Sequence, residues 1–592
     1  MTLRPLTPRA LAALLILVTI AAYVPAIGAG YVWDDDTLLT ANPQMRSVEG
    51  LAQIWRGVNS RDYTPVTLTG FWLEQRLWGD DPTGYHVVNI LLQALSAVLL
   101  WLILRRLRVP GAWLGALLFA IHPVNVASVA WIAELKNTLS AALFFGSILA
   151  WLAARDGKPR WAYAGSLGLF VLAALSKGAV VTMPAVLLLC MVWQDRKVTW
   201  RGLLPLVPYA VIAIGVALVT VLYQSRAPHY GGVVPDSLAY RVSRAGAETW
   251  IYLGSLFWPA GLSPMRAPWV PDLRSPIAYL PAVAAAGALA LVFWKRRTWG
   301  RPFLFAYGYY LLMLLPVLGF VWMALLQETP GTDWWQYLAT PGILACVAAG
   351  AATAARKWRV VTPLIAVAVA LLFVQTWRRA AIYQDMETYC RAVTAEDPGA
   401  WTLENNLGIM LKREGRFAES EACYRRALLD NPGYVEAHIN LGNTLAAAGD
   451  SAAAEAEYHH AIEMRPGDAE SLQPLADLLV AEGRLGEALS IQGAAVKAAP
   501  GNLRGICKLG ELLGRSGRFA EAAACFRDAA TLEPGSIPIR IELCRALAAG
   551  GARDDALQVC AQVEQLAHDS GDKIAIEVAA ELRQHCEGAA AP

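Results

Sequence analysis

Apolar and polar positions divide the chain into two stretches with different patterns. Residues 10–378 carry long, nearly uncharged apolar runs, whereas residues 385–592 are rich in Ala, Glu, Arg and Gly and hold no run of that length. A bilayer core is about 30 Å thick and a helix rises about 1.5 Å per residue, so a run near 20 apolar residues crosses it. The runs predict spans near 10–30, 86–104, 111–131, 135–154, 161–176, 179–193, 203–223, 276–294, 302–325, 337–355 and 360–377. The fifth and sixth are short, so they are expected to be tilted or shielded by neighbours. The first is long and shows no cleavage site before Tyr31–Trp33, so it reads as a retained span rather than a signal peptide. Segment 246–262 is apolar enough to dip into the membrane as an interfacial or re-entrant element. The expected fold is all-α: a polytopic membrane domain of about eleven helices over 1–380, then a soluble domain over 385–592.

Charge supplies an orientation. Basic clusters lie at Arg105–Arg108, Arg155–Arg160, Arg196–Arg201, Lys295–Arg301 and Arg356–Arg359. With a cytoplasmic N-terminus, alternation places all five on the cytoplasmic side, as the positive-inside bias requires. The connections 31–85, 132–134, 176–178, 224–275 and 326–336 then face outward. With eleven spans, so does everything after residue 378. The expected address is the cell (inner) membrane, with the C-terminal domain periplasmic or otherwise extracytoplasmic.

The second stretch is arithmetical. Pro398, Pro432, Pro466, Pro500 and Pro534 are each 34 residues apart, as are Gly415, Gly449, Gly483, Gly517 and Gly551. Leu407, Leu441, Leu475, Leu509 and Leu543 keep the same step. Small residues share it at Ser420, Ala454, Ala488, Ala522 and Ala556. A 34-residue period of this kind resembles the tetratricopeptide repeat (TPR), in which Gly permits the turn between paired helices and Pro ends each pair. Stacked pairs form a superhelix with a concave groove, whose expected occupant is an acceptor protein or peptide. The nine cysteines form no CxxC and no Cys/His metal spacing. Cys423 and Cys525 stand three repeat lengths apart and read as one small, buried packing position. A net charge of +2 points to no nucleic-acid partner.

Candidate chemistry gathers on the outward side. Tyr31-Val32-Trp33-Asp34-Asp35-Asp36 follows the first span directly. Adjacent carboxylates at a membrane surface repel one another, and nearby low dielectric raises their pKa. Such a group can act as a general base toward a hydroxyl, or hold a divalent cation such as Mg or Mn. A solvated acidic cap is the plainer alternative. His86 begins the second span, and His122 and Asn125 interrupt the third, where polar groups are costly unless they line a cavity. Glu134, Lys136 and Asn137 occupy the turn between spans three and four, Lys177 that between five and six, and Asp333 the loop before span ten. All lie on one side, as a single site requires.

V-W-D-D-D-T-L-L-T-A-N-P at 32–43, Y-T-P-V-T at 63–67 and G-Y-H-V-V-N-I-L-L-Q-A-L at 84–95 resemble the transmembrane-and-TPR O-mannosyltransferase family and its bacterial relatives. So do H-P-V-N-V-A-S-V-A-W-I-A-E-L-K-N-T-L-S at 122–140, L-S-K at 175–177 and D-W-W-Q-Y-L-A-T-P at 333–341. The resemblance implies a GT-C fold and a polyprenyl-phosphate-linked sugar as donor. The sugar would pass to a Ser or Thr hydroxyl with inversion, and the acidic pair Asp34 and Asp35 would carry the base role. Lys177, then Lys136, are the expected phosphate partners. Two positions depart from the family's patterns. Trp334 stands where Arg is expected, which puts phosphate binding at the 333 loop in question, and Gly178 stands where L-S-K-P has Pro. Two other architectures meet the same pattern: a GT-C enzyme acting on a surface polysaccharide or lipid, and a non-catalytic membrane-anchored TPR scaffold.

Overall fold

The computed structural model describes residues 6–58, 62–157, 160–195, 198–225, 237–262, 271–320, 331–396, 399–466, 468–570 and 573–588. Every element among them is α- or 3-10-helical. Two compact units divide at Ala400 and Trp401.

Helix occupies each of the eleven predicted spans, although 321–325 of the ninth lie outside the described residues. So do Pro398 of the repeat series and parts of two basic clusters, Lys158 and Arg196–Lys197. Six helices among the described residues are long and apolar enough to cross a bilayer unaided, and a seventh appears if one bent pair counts as a single span. They are Pro8–Ile27, Pro82–Arg106, Ile132–Arg155, Trp200–Gln224, Pro276–Trp294 and Val361–Gln384. Leu364, Val367 and Leu371 on the last are exposed, as are Leu280 and Val283 on the fifth, an apolar outer face of the kind that lipid covers. The protein is therefore a multi-pass membrane protein.

The bent pair, Ala112–Ala120 and Pro123–Ala130, meets at 49°. Pro123 cannot donate to the helix ladder, so carbonyls of the preceding turn lose their partners. Side chains take them up. Asn125 Nδ2 donates to the Phe119 carbonyl at 2.8 Å, and Thr376 Oγ1 to the Ile121 carbonyl at 2.6 Å. Gln93 Nε2 also reaches the Phe119 carbonyl, at 3.2 Å. His122 Nδ1 accepts from the Val124 N–H at 3.3 Å, and its Nε2 lies 3.1 Å from the Leu256 carbonyl. Thus His122 and Asn125 complete backbone that a break inside the membrane leaves open.

Small residues set the helix contacts. A Cβ on Gly342 would stand 2.7 Å from the Ala306 carbonyl, and one on Gly115 3.4 Å from Ala345 Cα, so these helices approach to backbone distance. Segment 246–262 falls largely within a continuous helix, Leu238–Phe257, which buries the Arg244–Glu248 ion pair (2.6 Å). The membrane unit also keeps helix Met386–Glu396. Its Tyr389, Cys390 and Val393 are buried, and the Tyr389 ring packs against Trp33 and Tyr383.

The second unit is five antiparallel helix pairs, beginning Trp401–Arg413 with Phe417–Asp430 and ending Ile537–Ala549 with Arg553–Ser570, capped by Lys573–Gly588. The five periodic glycines between paired helices all have positive φ, 74–93°, backbone that a Cβ resists. A second periodicity lies inside the packing. A Cβ on Gly408, Gly442 or Gly510 would strike the ring of Tyr424, Tyr458 or Phe526 at 2.7, 2.5 and 2.9 Å. In the third repeat the same two registers hold Ala476 and Gln492 instead. Cys423 and Cys525 are free thiols, and a disulfide joins Cys544 to Cys560 across the last pair, with buried Cys586 of the capping helix beside them.

Candidate active site

The first span ends at Gly28, and its exit is stitched to the far end of the membrane unit by the Gly30 N–H donating to the Gln384 carbonyl at 2.8 Å. Trp33 follows at φ 59°, a conformation that a bulky residue holds only when its surroundings impose it. The chain then enters the short helix Asp35–Leu38, with Asp34 just before it.

The three adjacent acids separate into three roles. Asp35 is fully buried: one oxygen accepts the Val32 N–H at 2.9 Å and the other the Ala133 N–H at 2.8 Å. It ties the first loop to the Trp131–Glu134 turn. Asp36 is exposed and meets Thr40 at 3.3 Å. Asp34 is half-buried, and its Oδ1 has no hydrogen-bond partner among the described residues. Burial raises its pKa above the ordinary carboxylate range. Lys136 opposes that shift and Glu134 adds to it. Asp35 lies higher still, mainly through burial.

Beyond Asp34 runs a chain of alternating charge. Lys136 Nζ lies 2.9 Å from Glu134, which is 1 % exposed. Asn137, one helical turn on, donates to both Glu134 and Ser128, and its carbonyl oxygen accepts from Lys177 Nζ. Lys177 is 8 % exposed, sits in the turn after helix Arg160–Ser176, and stands 5.3 Å above the Trp335 ring. Burial lowers its pKa to about 8, against the pull of Glu134 and Asp62. Asp62 completes the chain: it faces Lys136 and Lys177 and bonds to the buried Gln224 side chain, and its own pKa is raised by burial.

Asp34, Glu134, Lys136, Asn137 and Lys177, from three segments far apart in the chain, therefore meet in one place. Asp333 stands on a neighbouring wall, 3.5 Å from Arg379, which also bonds the Leu262 carbonyl at 2.7 Å and lies 3.4 Å from Glu396. Buried Tyr383 lies within electrostatic reach of Arg379, Asp333 and Glu134. His86 packs behind the loop against the backbone of Ala29, Gly30 and Ala130. His122 and Asn125 stay with the helix break.

Asp62, Gln224, Arg379 and Tyr383 are the site residues that sequence reasoning missed. Two left a signal. Asp62 directly precedes Y-T-P-V-T, and Arg379 is a basic residue at the predicted outward end of a span, where the positive-inside bias leaves few. Among the described residues, the group of three or more close metal-ligating side chains is Cys544, Cys560 and Cys586 in the repeat unit, not these acids. The acids here face ammonium groups instead, and these repel a cation.

The family described as dolichyl-phosphate-mannose-protein mannosyltransferase matches residues 62–223, and tetratricopeptide-repeat families match 405–469, 440–502 and 515–575. The protein O-mannosyl-transferase F38B6.6 of Caenorhabditis elegans is 31 % identical over 144 residues, covering 21 % of this chain and 21 % of that protein. The protein O-mannosyl-transferase TMTC4 of Homo sapiens is 27 % identical over 193 residues, covering 28 % of this chain and 26 % of that protein. The chain thus matches only about a fifth to a quarter of these relatives' length. Among solved structures, YrrB, a TPR protein with an unusual peptide-binding site, is 17 % identical with a TM-score of 0.28, covering 32 % of this chain and 97 % of that one.

Proposed function

Since this chain is a TPR-bearing relative of the transmembrane-and-TPR protein O-mannosyltransferases, we propose that it is a membrane glycosyltransferase of GT-C type using a polyprenyl-phosphate-linked sugar. One observation carries this: a carboxylate with an unengaged oxygen, Asp34, shares a partly buried site with two ammonium groups, Lys136 and Lys177.

The chemistry is a single displacement. The oxygen of an acceptor Ser or Thr hydroxyl forms the new bond to the anomeric carbon while the bond from that carbon to the carrier phosphate breaks. The hydroxyl proton passes to Asp34, whose proton affinity burial raises above that of an ordinary carboxylate. The electron pair of the broken bond leaves on the phosphate, and Lys177 and Lys136 supply the positive charge that stabilises it. Glu134, Asn137 and Asp62 hold those two ammonium groups in place. Asp35 positions the loop, its two oxygens each held by a backbone N–H. In this scheme lysine supplies the charge. Attack opposite the phosphate inverts the anomeric configuration. The TPR groove binds the acceptor protein, and the chemistry takes place at the extracytoplasmic face of the cell membrane.

Expression of the wild type and Asp34→Asn in a strain lacking the native gene tests this by intact-mass glycoproteomics of envelope proteins. Hexose masses on Ser or Thr that disappear in the folded variant support protein O-glycosylation. Unchanged proteins with altered surface glycan or lipid move the acceptor away from protein. No change in either leaves a scaffold and removes the enzyme.

A further inference from the structure

Four indoles lie between the candidate base and the candidate phosphate partner. Trp33 adjoins Asp34 in the chain and meets Trp131 edge-on, ring centres 6.5 Å apart. Trp131 meets Trp334 edge-on at 5.2 Å, Trp334 is followed by Trp335 at 6.4 Å, and Lys177 stands 5.3 Å over Trp335. The row thus runs from the base to the ammonium group. Attack on the anomeric carbon, with departure of its phosphate, requires the sugar to lie between those two groups.

The row is also incomplete in its hydrogen bonding. Trp131, Trp334 and Trp335 are 6, 4 and 7 % exposed, and the indole N–H of each has no acceptor among the described residues. An indole N–H can only donate, and buried donors in folded proteins are almost always satisfied. Three such donors in one ring cluster, beside a lysine, are suited to a ligand rich in oxygen acceptors. Aromatic faces carry partial negative charge and attract the weakly positive C–H face of a pyranose, while repelling a carboxylate laid upon them.

The geometry points to the Trp33–Trp131–Trp334–Trp335 row as the donor-sugar platform, selective for a neutral hexopyranose. This rests on the glycosyltransferase function above. It also gives Trp334 a purpose. There the 333 loop offers a ring and a neutral N–H rather than a charge, which leaves the phosphate to Lys177 and the sugar to the indoles.

The test measures binding to the full-length protein in detergent, in an Asp34→Asn background that prevents turnover. The probes are short-chain isoprenyl phosphate alone and the same carrier bearing mannose, glucose or glucuronic acid. Trp334→Phe and Trp335→Phe keep a ring and remove the N–H, so folding is spared, and thermal unfolding checks it. The expected result is a loss of about fivefold or more in affinity for the hexose-bearing carriers, an unchanged affinity for the bare phosphate, and weak binding of the glucuronic carrier throughout. Equal losses for bare and sugar-bearing carriers, or none, overturn the platform while leaving the enzyme standing. If the parent protein binds no carrier at all, the glycosyltransferase function falls and the platform falls with it.

Discussion

Two neighbouring aspartates show how burial and hydrogen bonding divide labour at the scale of single residues. Asp34→Asn removes the proposed base and is expected to lower transfer by about 10²–10⁴-fold while donor binding persists, read by activity beside equilibrium binding. Asp35→Asn behaves differently. An amide can accept on only one atom, so one of the Val32 and Ala133 N–H groups would face an NH₂. A loss of about 1–3 kcal/mol of stability is expected with it, seen as a lower midpoint of thermal unfolding. The pH profile of kcat/KM follows from the same site. It should rise as Asp34 loses its proton, at a pH above the ordinary carboxylate range. It should fall near pH 8, as Lys177 loses the positive charge that a phosphate needs. Lys177→Arg, which stays charged, should move the alkaline limb upward and leave the acid limb in place.

At the scale of elements, the repeat unit rests on close contacts between paired helices. Gly442→Ala drives a methyl group into the Tyr458 ring and should cost about 1–3 kcal/mol. The matching change in the third repeat, Ala476→Gly, meets no such ring and should cost about 1–2 kcal/mol, through helix propensity and one buried methyl. Urea unfolding of the two variants compares them directly. The Cys544–Cys560 bridge closes a 16-residue separation, so opening it is expected to remove about 3 kcal/mol. Unfolding of the Cys544→Ser/Cys560→Ser pair, with and without a thiol reductant, should show the reductant effect only in the parent.

For the molecule as a whole, topology decides whether the chemistry and the repeats share a compartment. A reporter active only outside the cytoplasm should function when fused after residue 588 or within 31–58, and fail when fused at the 105–111 connection. Activity at the C-terminus with silence at the first loop would mean an odd number of crossings between them has been misassigned, and would separate Asp34 from its acceptor.

Much of this was legible in the chain itself, because its signals are local. Apolar run length marks the spans, since every helix in lipid must satisfy its own backbone within one segment. The 34-residue period marks the repeats, since each pair contacts only its neighbours. Asp34, Lys136 and Lys177 could be placed on one side by counting crossings. Sequence could not tell Asp34 from Asp35, because the two N–H groups that occupy Asp35 come from its own loop and from a turn 98 residues away. Nor could it bring Asp62, Gln224 and Arg379 to the site, or align Trp33 and Trp131 with Trp334 and Trp335. These are long-range juxtapositions created by helix packing, and no spacing along the chain records them. Cys544, Cys560 and Cys586 make the same point: their separations match no motif, yet three helices bring their sulfurs within 4.8 Å of one another. Local pattern determined the elements and the expected side of the membrane for each. Tertiary packing decided which carboxylate keeps a free oxygen, which ammonium groups face it, and what lies between them.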